Sequence, residues 1–138
     1  MNRRDERGSV TVFVTIMTVA LILMAGLVVD GGQVLNARRK AANIAESAAR
    51  AGAQELDEDA ARRDGSSVLD VRRAVDRSQA FLVANGYHGN VSSTADRVTV
   101  NVQIRQPLLI LGIGGLADVT VNGTGAATPL RGITEADP

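Results

Sequence analysis

The residue types that most often carry chemistry are scarce in this sequence. It contains no cysteine and one histidine, His88, so thiolate catalysis is excluded and a Cys/His metal cluster lacks its ligands. The glycine-rich run at 112–115 lacks the lysine and the spacing of a phosphate-binding loop. The acidic residues at 57–59 are more typical of a solvated helix end than of a cation site. The sequence therefore predicts a protein that is not an enzyme, with no cofactor, no metal and no small-molecule substrate.

Charge and aromatic content limit the partners. The chain has 15 Lys and Arg against 15 Asp and Glu, a formal net charge of zero, and only 2% aromatic residues. A balanced charge gives no long-range field toward a polyanion, and few rings leave no platform for base stacking. The composition therefore predicts no nucleic-acid partner.

Residues 9–29 form the longest apolar stretch and contain no charged residue, Pro, Asn or Gln. As a helix rising ~1.5 Å per residue, the stretch is roughly 31 Å long, which matches the hydrocarbon thickness of a bilayer. The alternative is a cleaved signal peptide with Arg3, Arg4 and Arg7 as its charged start, but the apolar part of a signal is only ~7–15 residues long. We predict one transmembrane helix in the cell membrane, with a cytoplasmic N-terminus and an extracytoplasmic C-terminal domain.

Polar residues should mark where the span leaves the membrane. Asp30 is costly in lipid and is predicted to lie at the interface. The basic residues that follow are predicted to lie there too: Arg38, Arg39 and Lys40. The neighbouring Gly31 and Gly32 each weaken a helix by ~1 kcal/mol relative to Ala. They allow either a hinge or a helix that continues, and we favour continuation.

Two stripes of small or hydroxyl side chains indicate helix packing. In the span, Thr11, Thr15 and Thr18 share one face, where they either admit a neighbouring helix or bond only to their own i−4 carbonyls. Beyond it, residues 33–56 place an alanine at every fourth position, and such a ridge permits close approach. This alanine ridge consists of Ala37, Ala41, Ala45, Ala49 and Ala53. It is predicted to pack on a partner or on the chain's own domain.

A second helix is predicted after the long one. Residues 57–64 are solvated and end the first helix. Ser67 with Asp70 forms a capping box, which predicts an amphipathic helix over 68–85. Asn85 and Gly86 supply its stop signal. The apolar face is expected to contain Val68, Val71, Val75, Phe81 and Leu82.

The last part of the chain predicts a small sheet and one apolar loop. Residues 97–105 alternate between apolar and polar side chains, and 90–93 and 118–128 are predicted to join them as strands. Residues 108–116, the apolar loop, contain no polar side chain but are too short to span a bilayer. The loop is a core element, a contact for a partner, or a segment resting on the membrane. Its predicted contact residues are Leu108, Leu109, Ile110 and Leu111.

These elements predict the α+β class: a long N-terminal transmembrane helix extended into an Ala-rich helix, a second amphipathic helix, and a small antiparallel sheet of two to three strands. The predicted boundaries are a cytoplasmic tail at 1–8, the transmembrane helix at 9–29, the extended helix at 30–63, a small extracytoplasmic domain at 64–128 and a flexible tail at 129–138.

The order of these features resembles a known family. Arg7 and Gly8 precede the apolar helix, and its end continues as LVVDGGQVLNARRKAANIAESAARAGAQEL; NGY, VTVNVQI, LLILGIGGL and VTVNGTGAATPLRG follow later. The chain resembles the TadE/TadG-like proteins of the Flp (Tad) pilus assembly system, and its later part is similar to actinobacterial members. The resemblance implies a pilin-like, membrane-anchored minor subunit or assembly factor.

The resemblance also implies a processing site and partners. Related pilins are cut after a glycine, which here would separate Gly8 from Ser9, but Phe13 stands where those pilins carry a glutamate. The implied partners are the membrane and other pilin-like or Tad assembly subunits. We therefore predict a single-span protein that assists a Tad-type pilus through helix–helix packing. The alternative is a secreted or membrane-anchored binding module, unrelated to pili, that uses the apolar loop as its contact.

Overall fold

The structure, a computed structural model, describes residues 5–64 and 68–129. The helices are α1 (Asp5–Gly52), α2 (Glu58–Asp64) and α3 (Val71–Ala84). The strands are β1 (Gly89–Ser93), β2 (Val98–Pro107) and β3 (Asp118–Ala127), and a short 3-10 helix covers Leu111–Gly114. The three strands form one sheet in the order β1-β2-β3. The α+β class is therefore confirmed.

Helix α1 continues without a break through Gly31 and Gly32. Within the described residues, Ser9–Gly52 is the one helix that is long and apolar enough to cross a membrane. Nearly all of its large side chains between residues 9 and 29 are exposed. An uncovered apolar surface of that length is stable in lipid and costly in water.

The long helix ends at Gly52 and does not reach the predicted limit at 63. A Cβ on Gly52 would collide with the Ser78 hydroxyl and would lie 2.6 Å from the carbonyl oxygen of Ala74. The chain turns after this close contact, and Leu56 pairs with Leu69 in an isolated antiparallel bridge. The acidic segment then forms the separate helix α2 instead of ending the first one.

Helix α3 begins at Val71, later than predicted. Its N-cap is Asp70, whose carboxylate accepts the N–H of Arg73 at 3.1 Å. The capping box starting at Ser67 is therefore wrong as the helix start, and Ser67 itself lies outside the described residues. The helix ends as predicted, with Asn85 as its C-cap and Gly86 at φ +75°.

The buried face of α3 also differs from the predicted one. Its buried residues are Ala74, Ser78 and Leu82, whereas Val71 is exposed. The Ser78 hydroxyl donates to the carbonyl oxygen of Ala48 at 3.0 Å. Two helices that meet at a glycine and alanines need small residues on both sides, so Val71 is displaced from the contact. Leu82 is buried as predicted, and Phe81 is partly buried against the core.

The sheet follows the predicted alternation. Strand β1 pairs antiparallel with β2, with Val91 opposite Val100. Along β2, the side chains of Val98, Val100 and Val102 are fully buried. On β3 every second residue is buried from Val121 to Gly125. One face of the sheet therefore belongs to the core.

The chain divides into two compact units. One contains the described part of Met1–Asn36 together with Arg105–Val119; the other contains Ala37–Ile104 and the described residues from Thr120 onward. The second unit holds the hydrophobic core, in which alanines of α1 meet Leu69, Leu82 and the valines of β2. The first holds the site described next.

Candidate functional site

Among the described residues, Asp30 is the one charged side chain that is buried, with 1% of its surface exposed. Its carboxylate accepts three backbone N–H groups of the apolar loop. Leu109 donates to Oδ1 at 2.9 Å, while Ile110 and Leu111 donate to Oδ2 at 3.1 and 2.8 Å. We call Asp30 with these three N–H groups the Asp30 clamp. It joins the end of the predicted span to a segment about eighty residues further along the chain.

The clamp favours an ionised carboxylate. The N–H of Leu111 has the largest effect in lowering the pKa of Asp30; desolvation opposes it, and the N–H groups of Leu109 and Ile110 lower the pKa further. Successive N–H groups that converge on one anion replace the water it has lost. Asp30 is therefore an anion held by backbone dipoles, and no basic side chain is needed to pair with it.

The turns of α1 on either side of Asp30 help to hold the loop. One turn earlier, a Cβ on Gly26 would lie 2.6 Å from Cγ2 of Ile110, so any larger residue there would push that side chain aside. One turn later, Gln106 donates from Nε2 to Oε1 of Gln33 at 3.1 Å. Contacts in consecutive turns thus attach the loop, and the end of β2 that leads into it, along one side of the helix.

The loop also satisfies much of its own backbone. Its internal N–H···O bonds join Leu108 to Ala117, Ile113 to Ile110, Gly115 to Gly112 and Leu116 to Leu111, at 3.1 to 3.2 Å. Gly115 closes the 3-10 helix at φ +102°, a conformation that favours glycine. At its base, Arg105 pairs with Asp118 at 3.3 Å.

The loop exposes part of its apolar surface. Ile113 is 89% exposed, Leu109 63% and Leu116 61%. The other predicted contact residues, Leu108, Ile110 and Leu111, are half-buried. Ile113 and Leu116, which lie within the predicted loop but were not named among its contact residues, are more exposed than Leu108, Ile110 and Leu111. The contact role of the loop stays a prediction.

The alanine ridge is covered by the chain's own domain. All five of its alanines are buried, and Ala45 and Ala49 are fully so. Ala45, Ala49 and Ala53 belong to the core that also contains Leu82 of α3 and the valines of β2. Of the two occupants that the sequence left open, the chain's own domain takes this face, so it is not exposed to a neighbouring helix.

Two glycines of β3 complete this contact, and the sequence analysis missed both. A Cβ on Gly125 would lie 2.5 Å from the carbonyl carbon of Ala45, and one on Gly123 would lie 2.7 Å from Cβ of Ala41. A glycine inside a strand often marks such an approach of two backbones. The alternating glycines of the stretch VNGTG were the available signal.

The threonine stripe of the span lies on the exposed part of α1. The hydroxyl of Thr15 donates to the carbonyl oxygen of Thr11, and that of Thr18 donates to that of Val14, each at 2.8 Å. These are the bonds to the threonines' own i−4 carbonyls that the sequence analysis gave as the alternative to helix packing. They do not prevent a neighbouring helix from packing on the same face, so that part of the interpretation stays a prediction.

The basic residues after the span are exposed: Arg38, Arg39 and Lys40. The ammonium of Lys40 lies 5.7 Å from the ring centroid of Tyr87, a cation–π distance. The next residue, His88, is exposed beside an open cleft that Leu82 also lines. Within residues 5–64 and 68–129, no group of three or more His, Cys, Asp or Glu could hold a metal ion.

Taken together, these features define a membrane-anchored protein whose anchor helix continues into a small folded domain. Residues 8–55 match the family described as putative Flp pilus-assembly TadE/G-like. The match confirms the resemblance over that segment, which contains the span, Asp30 and the alanine ridge, and it supports a pilus-related role. Neither the curated proteins nor the solved structures contain a match to this chain.

Proposed function

We propose that this protein is a single-span, pilin-like minor subunit or assembly factor of a Tad-type pilus. The observation that carries the proposal is the family match over residues 8–55, because the matched segment includes both the apolar span and the start of the folded domain. The role is structural, and its partners are the membrane and other Tad subunits. No catalytic step is assigned to any residue.

The proposed contact with other subunits lies inside the membrane. The alanine ridge is already buried, whereas the face of α1 that carries Thr11, Thr15 and Thr18 belongs to its exposed apolar part. Small and hydroxyl-bearing residues on one face allow transmembrane helices to approach closely. We therefore assign helix–helix packing to the span and not to the domain.

Two experiments in the native bacterium test this function. Deletion of the gene should reduce the number of Tad pili on the surface, and the full-length chain should restore it. Because the chain has no cysteine, a photo-crosslinker can then be attached to single cysteines at Thr15 or Thr18. Both positions should capture another single-span Tad subunit. Unchanged piliation after deletion would refute the role.

Ala20 provides the matched control for the crosslinking. It lies about 180° around the helix from Thr11, given ~100° per residue. The Ala20→Cys chain should capture much less of the same subunit than the Thr15→Cys chain. Equal capture from both faces would contradict packing through the threonine stripe, although it would leave the pilus role intact.

The mature N-terminus distinguishes the remaining proposals. Cleavage between Gly8 and Ser9 predicts a membrane-bound chain that begins at Ser9. The secreted alternative predicts a soluble chain that begins near Gly26. N-terminal sequencing of the protein from membrane and medium fractions separates these outcomes from an uncut chain.

An impermeant thiol reagent added to cells carrying Ala61→Cys tests the proposed extracytoplasmic domain, since residue 61 is exposed.

A further inference from the structure

We propose that the apolar loop is inserted into the bilayer surface beside α1, in the leaflet where the span ends. Its occupant is lipid at the boundary between head groups and acyl chains. The inference rests on membrane anchoring but does not depend on a role in pilus assembly. It assigns a membrane contact to a segment about eighty residues away from the span in sequence.

The position of the loop along α1 is the first argument. Ile110 packs directly on Gly26, which lies three residues before the end of the apolar stretch at Val29. At ~1.5 Å per residue, Gly26 is roughly 4.5 Å below that end. If the span is in lipid up to Val29, the part of the loop that touches Gly26 must lie in the same layer.

The surface of the loop is the second argument. Leu109, Ile113 and Leu116 are all more than half exposed, and no charged side chain lies between 108 and 116. Exposed apolar residues continue on the adjoining helix at Leu27 and Val28. The loop and the end of the span therefore present apolar surface together, as interfacial membrane segments do.

The backbone supplies the third argument. Irregular backbone is costly near lipid because its N–H groups lose their hydrogen bonds to water. Here the N–H groups of Leu109, Ile110 and Leu111 are bound by Asp30, and four others are bound within the loop or to its base. The same contact covers the carboxylate, which is 1% exposed. The Asp30 clamp therefore lowers the cost of immersion for both partners.

The ion pair of Arg105 and Asp118 marks where immersion should stop. These residues close the base of the loop, and their side chains are 78% and 46% exposed. Exposed charges remain in water or among head groups. The expected depth is therefore shallow, with Ile113 and Leu116 among the upper acyl chains and the charges of Arg105 and Asp118 outside them.

Depth-dependent quenching tests the proposal on the full-length chain in phosphatidylcholine/phosphatidylglycerol vesicles. A polarity-sensitive nitrobenzoxadiazole probe is attached at Ile113→Cys, and lipids carrying a nitroxide near the head of the acyl chain act as quenchers. The probe should lose about half of its emission, as expected for a side chain at the acyl boundary. The same probe at Ala61→Cys, exposed on α2, should lose about a tenth or less.

Leu27→Cys serves as the positive control, because Leu27 is exposed beside Gly26 at the expected depth. Quenching at Ile113 that equals the value at Ala61 would overturn the proposal. A second outcome would also overturn it: Ile113→Cys shielded from a water-soluble thiol reagent in native envelopes but not in vesicles. That result would favour a protein partner. Because the vesicles contain no other protein, the quenching result in vesicles does not bear on the pilus role.

A second variant tests the part played by the clamp. Asp30→Ala removes the acceptor of three N–H groups, and quenching at Ile113 should then fall toward the Ala61 value. Asp30→Asn retains one acceptor oxygen and should give an intermediate value. Unchanged quenching in Asp30→Ala would refute the clamp as the support of the inserted loop. Quenching at Leu27 should stay constant in both variants, which verifies that the span is still inserted.

Discussion

Helix α1 holds two different segments of the chain by two different means. Between Gly26 and Gln33 it binds the apolar loop through one buried carboxylate and the backbone N–H groups that surround it. Between Ala37 and Gly52 it binds the sheet and α3 through alanines and glycines that allow close contact. The first contact is centred on one buried carboxylate, whereas the second is apolar and is distributed over many residues.

If the loop lies in the bilayer surface as proposed, the difference between the two contacts corresponds to the solvent that each segment faces. Apolar burial is driven by the removal of surface from water, so it suits a domain outside the membrane. Beside lipid that driving force is weak, and a carboxylate bound by several N–H groups is the stronger link. One helix can therefore anchor a water-soluble domain and a membrane-facing loop if the chemistry changes near the membrane border.

The largest effect is expected where the two backbones are closest in the domain. In Gly125→Ala the new Cβ would meet the backbone of Ala45 and Glu46, and overpacking of this kind costs ~1–3 kcal/mol or more. Amide hydrogen exchange along β2 should accelerate by about one to two orders of magnitude. The control is Asn122→Ala, an exposed residue on the same strand. Equal exchange in both variants would refute the close contact.

Removing the Asp30 carboxylate should release the loop and leave the domain intact. In Asp30→Ala, the N–H groups of Leu109, Ile110 and Leu111 lose their acceptor, and their hydrogen exchange should accelerate by about tenfold or more. Exchange at Val100 should not change, because its core lies in the other unit. Joint acceleration of the loop and of Val100 would show that the two units do not open separately.

A smaller effect is expected at Gly26. In Gly26→Ala the added methyl group meets the side chain of Ile110, which can yield in part, and the gain in helix propensity of ~1 kcal/mol offsets some of the cost. Exchange of the Ile110 N–H should rise by a few-fold. Gly31→Ala is the matched control, because nothing outside the nearby helix backbone lies within 4 Å of its Cβ position. Hydrogen exchange of the loop amides should be unchanged or slightly slower in this variant. Faster exchange of the Ile110 N–H in Gly31→Ala than in Gly26→Ala would contradict the packing on Gly26.

The smallest effect is expected at the base of the loop. The ion pair of Arg105 and Asp118 is exposed to solvent, and such pairs contribute ~0–1 kcal/mol. In Asp118→Asn, loop exchange should change by less than about threefold. A change as large as that of Asp30→Ala would mean that charge stabilises this loop even where it is solvated, and the contrast drawn above would fail.

Residues whose role depends on local periodicity could be read from the sequence. The alternation of Val98, Val100 and Val102 predicted a half-buried strand, and the alanines of the ridge lie on the buried face. Both patterns repeat along one element, so the pattern itself carries the information. What the ridge packs against could not be read, because a stripe of methyl groups fits a neighbouring helix as well as a strand containing glycine.

The Asp30 clamp could not be predicted for a different reason. Its donors are backbone N–H groups, which every residue except proline carries, so no residue type in the loop marks them. Asp30 itself gave the expected signal of a membrane border, and nothing in its neighbourhood pointed to residues 109–111. Helix α3 was misplaced at its start because Ser67 and Asp70 are both good caps. The long-range bridge of Leu69 with Leu56 keeps the chain extended up to Asp70, and local sequence does not show that pairing.

The long sequence separation within the clamp has a consequence for biosynthesis. The donors lie 79 to 81 residues after Asp30, so the ribosome makes the anchor and its acidic border well before the amides that neutralise it. For that interval the nascent protein carries an unsheltered anion at the membrane, and a chain truncated before residue 109 would keep it permanently.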